Sequence, residues 1–337
     1  MKLLSKFVAF ALFFSACAPL MMSPSPSATS IQAAYQDFGY YLTWSPDDDL
    51  ITVATNTGLY VYDTRSYTQL AAFVRRSGSI VAFSQQYIAA VNGDGMYLWG
   101  LKDYKLLFEK SAEDKTTFQS LAISPNEKIL ATGEQNQIRL WSVPDGRLIA
   151  SLTGIGFVSD VKFRDNNILI AASPFFGKVQ EWDVQNRTMT RSFEFPKSVI
   201  SLHLSEDAKE VIVDYGLTGF ELWNVDSGKL LHNYGDIVSA PGWQGLSGNN
   251  QYVVVWGYAF DSKNSGLSVW DLQLHVRVRE FTTAFVNGDG WRCGALNSDG
   301  SVLAASNNEG YIYFYDVVSG KELGKIYLPY KFVAGKG

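Results

Sequence analysis

The side chains that most often carry chemistry are few in this sequence, so each can be weighed by itself. The histidines His203, His232 and His275 stand far apart, and neither Cys17 nor Cys293 has a histidine beside it. Tetrahedral metal sites and activated thiols both draw on clusters of such residues. No metal or cofactor is therefore expected, and no residue is assigned a catalytic role. The motifs H-E-x-x-H, G-x-x-x-x-G-K-[ST] and G-x-S-x-G do not occur; Gly245-Leu246-Ser247-Gly248 approaches the last and lacks its second glycine. Asp47-Asp48-Asp49 has the carboxylate density of a calcium loop, but it follows Trp44-Ser45-Pro46 in a predicted turn, where solvated acids are routine. Cys293 lies in a predicted strand and is expected to be a buried, inert thiol. Asp160 and His203 are the pair to consider for acid–base work, because both fall on strands expected to line a central channel.

Composition narrows the partners. The 337 residues carry 28 basic and 33 acidic side chains, a formal charge of -5, which leaves no excess cation to neutralise a phosphate backbone; nucleic-acid binding is not expected. Hydrophobic residues make up 47% and aromatics 14%, the balance of a folded, β-rich chain. At the N-terminus, Lys2 and Lys6 precede the apolar run Phe7 to Phe14, the pattern of an export signal too short to span a bilayer. The stretch Phe14-Ser15-Ala16-Cys17 resembles the lipobox of bacterial lipoproteins, with Phe14 in place of the usual leucine. That resemblance implies removal of residues 1–16 and a lipid on Cys17. The competing reading, simple cleavage after Ala16-Cys17-Ala18, would leave Pro19 next to the cut. Residues 17–36, with Ser23-Pro24-Ser25-Pro26-Ser27, are expected to be a flexible tether reaching at most roughly 60 Å. With Ala18 rather than an aspartate after the cysteine, a two-membrane bacterium would hold the protein at the outer membrane, facing the periplasm. A one-membrane bacterium would display it on the outer face of the cytoplasmic membrane.

The elements that position everything else are repeats. Aromatics close an alternating stretch at Tyr62, Trp99, Trp141, Trp182, Trp223, Trp270 and Tyr315, spaced by 37, 42, 41, 41, 47 and 45 residues. A period near 40 to 45 is that of a four-stranded propeller blade. An acid or a substitute follows most of them, as in Tyr62-Asp63, Trp182-Asp183, Trp270-Asp271 and Tyr315-Asp316, and turns such as Asp226-Ser227-Gly228-Lys229 lead on to a further strand. A first strand ending in an apolar residue and Ser opens the unit: Trp44-Ser45, Ile123-Ser124, Leu204-Ser205. On these residues the chain resembles the WD-repeat family, over about nine tenths of its length, as a divergent bacterial lipoprotein member. An all-β, seven-bladed propeller of four-stranded antiparallel blades is expected over residues 37–330, with 331–337 as a C-terminal tail. The family's Gly-His opening is missing from every unit, so Thr132, Ser173 and Thr55 are the hydroxyls that could serve the indoles and the phenol of Tyr62. The quinoprotein-like repeat, which shares the Asp-x-x-Thr-Gly turn, places its tryptophan after the last strand instead. No strand is obviously borrowed to close the ring, and residues 31–35 are the stretch that could pair at the seam.

By the same resemblance, the connections between blades and those between second and third strands share one rim, the usual binding face. It is expected to present Phe175, Phe176, Tyr258, Phe260, Trp291 and Arg292, together with Phe118, Phe157 and Tyr215. The competing reading for each aromatic is inter-blade core. Phe175-Phe176 stands apart because Ser173-Pro174 and Gly177-Lys178 mark a loop, and residues 257–266 are the longest insertion of their kind. These features imply a lipid-anchored, non-enzymatic platform that binds a protein or peptide of the cell envelope. A propeller hydrolase or lyase, or a carbohydrate-binding protein, is the alternative.

Overall fold

Each repeat supplies four apolar stretches separated by turn residues, and each folds into one antiparallel sheet of four consecutive strands. The computed structural model describes residues 34–35, 39–74, 80–92, 95–111, 117–195, 199–215, 219–235, 244–258, 264–284, 290–328 and 331–332. After β1 (Ala34–Tyr35), blade 1 holds β2 (Tyr41–Trp44), β3 (Leu50–Ala54), β4 (Gly58–Asp63) and β5 (Gln69–Val74). Blade 2 holds β6 (Ile80–Phe83), β7 (Tyr87–Val91), β8 (Gly95–Gly100) and β9 (Leu106–Ser111). Blade 3 holds β10 (Ser120–Ile123), β11 (Ile129–Gly133), β12 (Gln137–Ser142) and β13 (Leu148–Thr153). Blade 4 holds β14 (Asp160–Phe163), β15 (Ile168–Ser173), β16 (Lys178–Asp183) and β17 (Thr188–Glu194). Blade 5 holds β18 (Ser201–Leu204), β19 (Glu210–Asp214), β20 (Phe220–Asn224) and β21 (Lys229–Tyr234). Blade 6 holds β22 (Gln244–Leu246), β23 (Tyr252–Tyr258), β24 (Asn264–Asp271) and β25 (Val276–Ala284). Blade 7 holds β26 (Trp291–Leu296), β27 (Val302–Asn307), β28 (Tyr311–Asp316) and β29 (Glu322–Tyr327), and β30 (Lys331–Phe332) follows.

The opening serines explain the first turn of the blade. Ser45, Ser124, Ser205 and Ser247 each accept the amide five residues on, from Leu50, Ile129, Glu210 and Tyr252, which ties the first strand to the second. Asn297 does the same for Val302 in blade 7. The acids after the marker aromatics work in the next turn: Asp63, Asp183 and Asp316 accept the amides of Ser66, Asn186 and Ser319, and Asn224 that of Ser227. These side-chain caps hold backbone groups that a tight turn leaves unpaired.

The ring closes without a borrowed strand. First strands of neighbouring blades lie side by side around the axis, and β26 lies against β2. The Trp44 indole donates to the Ala295 carbonyl at 3.1 Å, and Asp48 accepts the Ser298 amide at 2.8 Å. In the acidic run, then, Asp48 fastens the seam, Asp47 accepts the Ser45 hydroxyl, and Asp49 pairs with Arg65. Outside the blades, β1 pairs antiparallel with β30, Ala34 opposite Phe332 and Tyr35 opposite Lys331. The pair joins two residues of the expected tether, 17–36, to two of the expected tail, 331–337.

The core lies between blades, in apolar clusters that join adjacent sheets. All seven marker aromatics face these interfaces, from Trp99 stacked on Phe73 at 4.2 Å to Tyr315 against Trp291. Their polar atoms fare differently. The Trp141 indole donates to Thr132 Oγ1 at 3.0 Å as expected, Trp223 to Glu221, and Trp270 to Ser268. Trp182 Nε1 and Ser173 Oγ, expected to meet, are buried with no partner among the described residues. The register explains it: Thr132 lies two residues beyond the cross-strand partner of its tryptophan, and the equivalent residue in blade 4 is Ala171. Thr55 caps its own turn through Gly58, and the Tyr62 hydroxyl reaches Gln69 at 3.5 Å.

Candidate functional site

Among the described residues of the rim, blade 4 builds the most exposed apolar feature. Between β15 and β16 the chain makes a single 3-10 turn, Pro174–Phe176. Pro174 fixes φ where the turn starts, and Gly177, at φ 55, supplies the left-handed residue that ends it. Pro174 is the buried member, so the two rings that follow point out: Phe175 is 54% exposed and Phe176 57%. The connection from blade 3 meets them from the other side. Phe157 packs edge-on against Phe175, with ring centroids 5.1 Å apart at 86°. Phe176 lies across Gly156, whose φ is 80, and a Cβ there would come within 2.2 Å of its ring. The two types of connection thus share this rim, and three phenylalanines form a shelf on it. Ile200, just ahead of β18 on the connection from blade 4 to blade 5, is exposed as well.

Other expected anchors are placed differently. Trp291 is a correction: it is 5% exposed, its indole donates to the Phe281 carbonyl at 3.0 Å, and its ring packs edge-on against Tyr313 and Tyr315. Strand β26 starts at Trp291 itself, and a bulge between Trp291 and Cys293 turns the indole into the blade 6–7 interface. Arg292, the extra residue of that bulge, is half-buried and donates from Nε to Asn308. Phe118 is also core, 3% exposed beside Leu121 and Trp141. The expected long loop at 257–266 is in part a ladder, with Gly257 opposite Gly266 and Tyr258 opposite Ser265, so the backbone of Tyr258 belongs to a projecting hairpin. Phe260 and Cys17 lie outside the described residues.

A second cluster, polar, occupies the inner strands. Asp160 and Lys162 stand on β14, His203 on β18, Tyr41 and Thr43 on β2 from the far side of the ring. Burial pushes the Tyr41 phenol up to about 12, with the Lys162 charge opposing and the Asp160 and Glu206 charges adding to the rise. Burial raises the Asp160 carboxyl to about 6, although Lys162 and the Leu204 amide, donating to Oδ2 at 2.9 Å, pull the other way. The Lys162 ammonium is a quarter exposed and pairs with Glu206 at 2.5 Å, which holds its pKa above the usual range against its own desolvation. His203 is pushed down by burial, and its Nε2, like Thr43 Oγ1, is buried with no partner among the described residues. Asp160 does not reach His203; it is spent on the backbone of the next blade. Sequence reasoning found Asp160 and His203 but missed Lys162 and Tyr41. Their signal is register, since both share the alternate positions of the inner strands with Asp160 and Thr43. No group of three His, Cys, Asp or Glu side chains among the described residues could hold a metal ion.

The family profile described as "WD domain, G-beta repeat" matches residues 110–142, from the end of β9 through β12. Three relatives are similar over longer spans. "Periodic tryptophan protein 2 homolog" of Schizosaccharomyces pombe is 26% identical over 222 residues, 65% of this chain and 22% of that protein. "Protein tipD" of Dictyostelium discoideum is 26% identical over 258 residues, 71% of this chain and 40% of that protein. "Periodic tryptophan protein 2" of Saccharomyces cerevisiae is 24% identical over 187 residues, half of this chain and a fifth of that protein. The chain thus spans between a fifth and two fifths of the relatives it matches, all from eukaryotes. The matched repeat and the ring of seven four-stranded blades together support a WD-repeat β-propeller.

Proposed function

We propose that this propeller is a non-enzymatic binding platform that docks a protein or peptide on the blade 4 shelf of Phe157, Phe175 and Phe176. The observation that carries this reading is the exposure of two adjacent phenylalanines on a turn fixed by Pro174 and Gly177. Large exposed rings on a rigid support bury much area for little lost conformational freedom, which is what an interface anchor needs. In the same proposal the platform works in a bacterial cell envelope, held by a lipid, a reading supported by the export pattern and the cysteine at position 17. The likeness to proteins about two to three times as long, each matched over part of its length, fits a module whose work is docking.

The test is crosslinking in the native envelope followed by capture, comparing the unaltered chain with a Phe175→Ala, Phe176→Ala variant. A partner lost from the variant, with the fold intact by circular dichroism, is the expected result. A partner retained at equal yield removes the shelf from the reading. A second reading, a small polar ligand or its turnover in the central channel, is favoured by the Asp160 carboxyl near 6 and by His203 Nε2, which has no partner among the described residues. Loss of an activity on His203→Gln with the shelf unaltered would select it.

A further inference from the structure

Neighbouring blades are fastened at the periphery by a repeated pair of positions. In every blade a bulge interrupts the outer strand opposite the marker aromatic, and the residue just after it is Ala71, Phe108, Ala150, Arg191, His232, Arg279 or Gly324. In every blade, too, the residue five beyond the marker has left-handed φ: Tyr67, Tyr104, Gly146, Arg187, Gly228, His275 and Gly320. The first kind of residue meets the second kind on the next blade. Phe108 lies over Gly146, where a Cβ would come within 2.6 Å of its ring. Arg279 lies over Gly320 and donates to the Val317 carbonyl, and Arg191 reaches the Asp226 carbonyl in the turn that ends at Gly228. Across the seam the sizes are reversed, with Gly324 beneath the ring of Tyr67. At two further junctions the same positions hold one small and one large residue, Ala71 and Tyr104, and Ala150 and Arg187.

The blade 5–6 junction departs from the rule. It opposes two large side chains, and both are histidines. The His232 and His275 rings stack with centroids 3.6 Å apart and planes 6° from parallel. The Tyr234 hydroxyl bonds His275 Nδ1 at 3.0 Å and lies 3.3 Å from the Leu272 carbonyl, so strand β21 and the turn after β24 are held together through these rings. Two neutral imidazoles stack well; two imidazolium ions at this separation repel strongly.

We propose that the blade 5–6 junction is a protonation-sensitive joint, closed while both imidazoles are neutral and loosened when acid gives them like charge. Burial and the His275 charge both lower the His232 pKa. The neutral pair therefore stabilises the junction above the ordinary histidine range. That contribution is lost as the pH falls from the ordinary value through the depressed one. The charged groups on the packed elements are already engaged or turned aside. Asp271 accepts from Gln273, Leu274 and Gln251, and Arg277 pairs with Glu280. Glu221 points to the opposite face of its sheet, held by Tyr215, Trp223 and Asn233. Burial, with the Asp271 and Glu210 charges adding to it, raises the Tyr234 phenol to about 12, so it stays protonated throughout. Lys229 on β21 adds a further positive charge on the same strand.

Two measurements on the full chain test this. In a histidine-ring NMR titration, His232 is expected to protonate below the ordinary range and to return towards it in His275→Gly. That substitution restores the large-over-glycine pairing of the other junctions at a φ glycine favours. In hydrogen exchange corrected for intrinsic rate, protection of β21 and of residues 272–276 is expected to fall at least about tenfold between about pH 7.5 and about pH 5.5. The equivalent segments of the Phe108–Gly146 and Arg279–Gly320 junctions should not follow. His275→Gly, and independently His232→Phe, which keeps a ring without a titrating nitrogen, should abolish that dependence. A His232 that titrates normally in the unaltered chain, or a pH dependence that survives both substitutions, overturns the proposal.

Discussion

Asp160 carries a charge that its surroundings oppose. Its carboxyl sits near 6 because burial on an inner strand outweighs Lys162 and the Leu204 amide. A carboxyl raised in the folded state favours folding at low pH, and that advantage is lost as the pH climbs from the ordinary aspartate value through about 6. Asp160→Asn keeps an oxygen for the Leu204 amide and removes the charge. The variant is expected to be more stable than the parent above pH 6, by up to about 3 kcal/mol, with the difference vanishing towards pH 4. Denaturant unfolding at several pH values reads this directly; a variant less stable at pH 8 would mean that the carboxylate is held by attraction rather than confined by burial. Asp160 and His203 could be picked from the sequence because both side chains titrate and both fall on strands expected to line the channel. What they touch could not, since the partner of Asp160 is a backbone amide on the next blade, 44 residues away.

At the level of strands, register decides which side chains meet. Trp141 and Trp182 are equivalent, equally buried residues in adjacent blades, yet Trp141 finds Thr132 and Trp182 faces Ala171. Replacing each with phenylalanine removes the same atoms. Trp141→Phe should therefore be the more destabilising by about 1–2 kcal/mol, because it breaks a bond and leaves the Thr132 hydroxyl buried and unpaired. Equal losses in unfolding experiments would show that the hydroxyl bond adds nothing. The period of the aromatics, the serine turns and the acid turns were all legible, because each is a local pattern with a local cause. The bulge in β26 was not. One extra residue there reverses which face Trp291 takes and moves it from the rim into the core, and nothing nearby in the chain marks the slip. The Phe175-Phe176 turn was legible because Pro174 and Gly177 bracket it. Its third ring, Phe157, is fixed as a shelf partner only by the packing of one blade on the next.

For the molecule as a whole, the question is what would hold such a ring at a membrane. The described residues offer little: among them no helix is long and apolar enough to cross, and with 33 acidic against 28 basic side chains the chain has no excess cation to draw it to anionic lipid. Ala34 and Tyr35 pair with Phe332 and Lys331, so the segment ahead of blade 1 runs beside the one that follows blade 7, and an anchor ahead of Ala34 would be joined to the propeller through this pair. A lipid on Cys17 would suffice, since each buried methylene adds about 0.8 kcal/mol and two acyl chains together give a stable anchor. Cys17→Ser is then expected to move the protein from the membrane fraction to the soluble one without changing its unfolding midpoint. Cys293→Ser, which alters a thiol buried against Ser306 and the Gly39 carbonyl, should leave it in the membrane fraction. Retention of the Cys17→Ser protein after a high-salt wash would mean that the body itself binds the envelope, and the blade 4 shelf would be the first surface to alter.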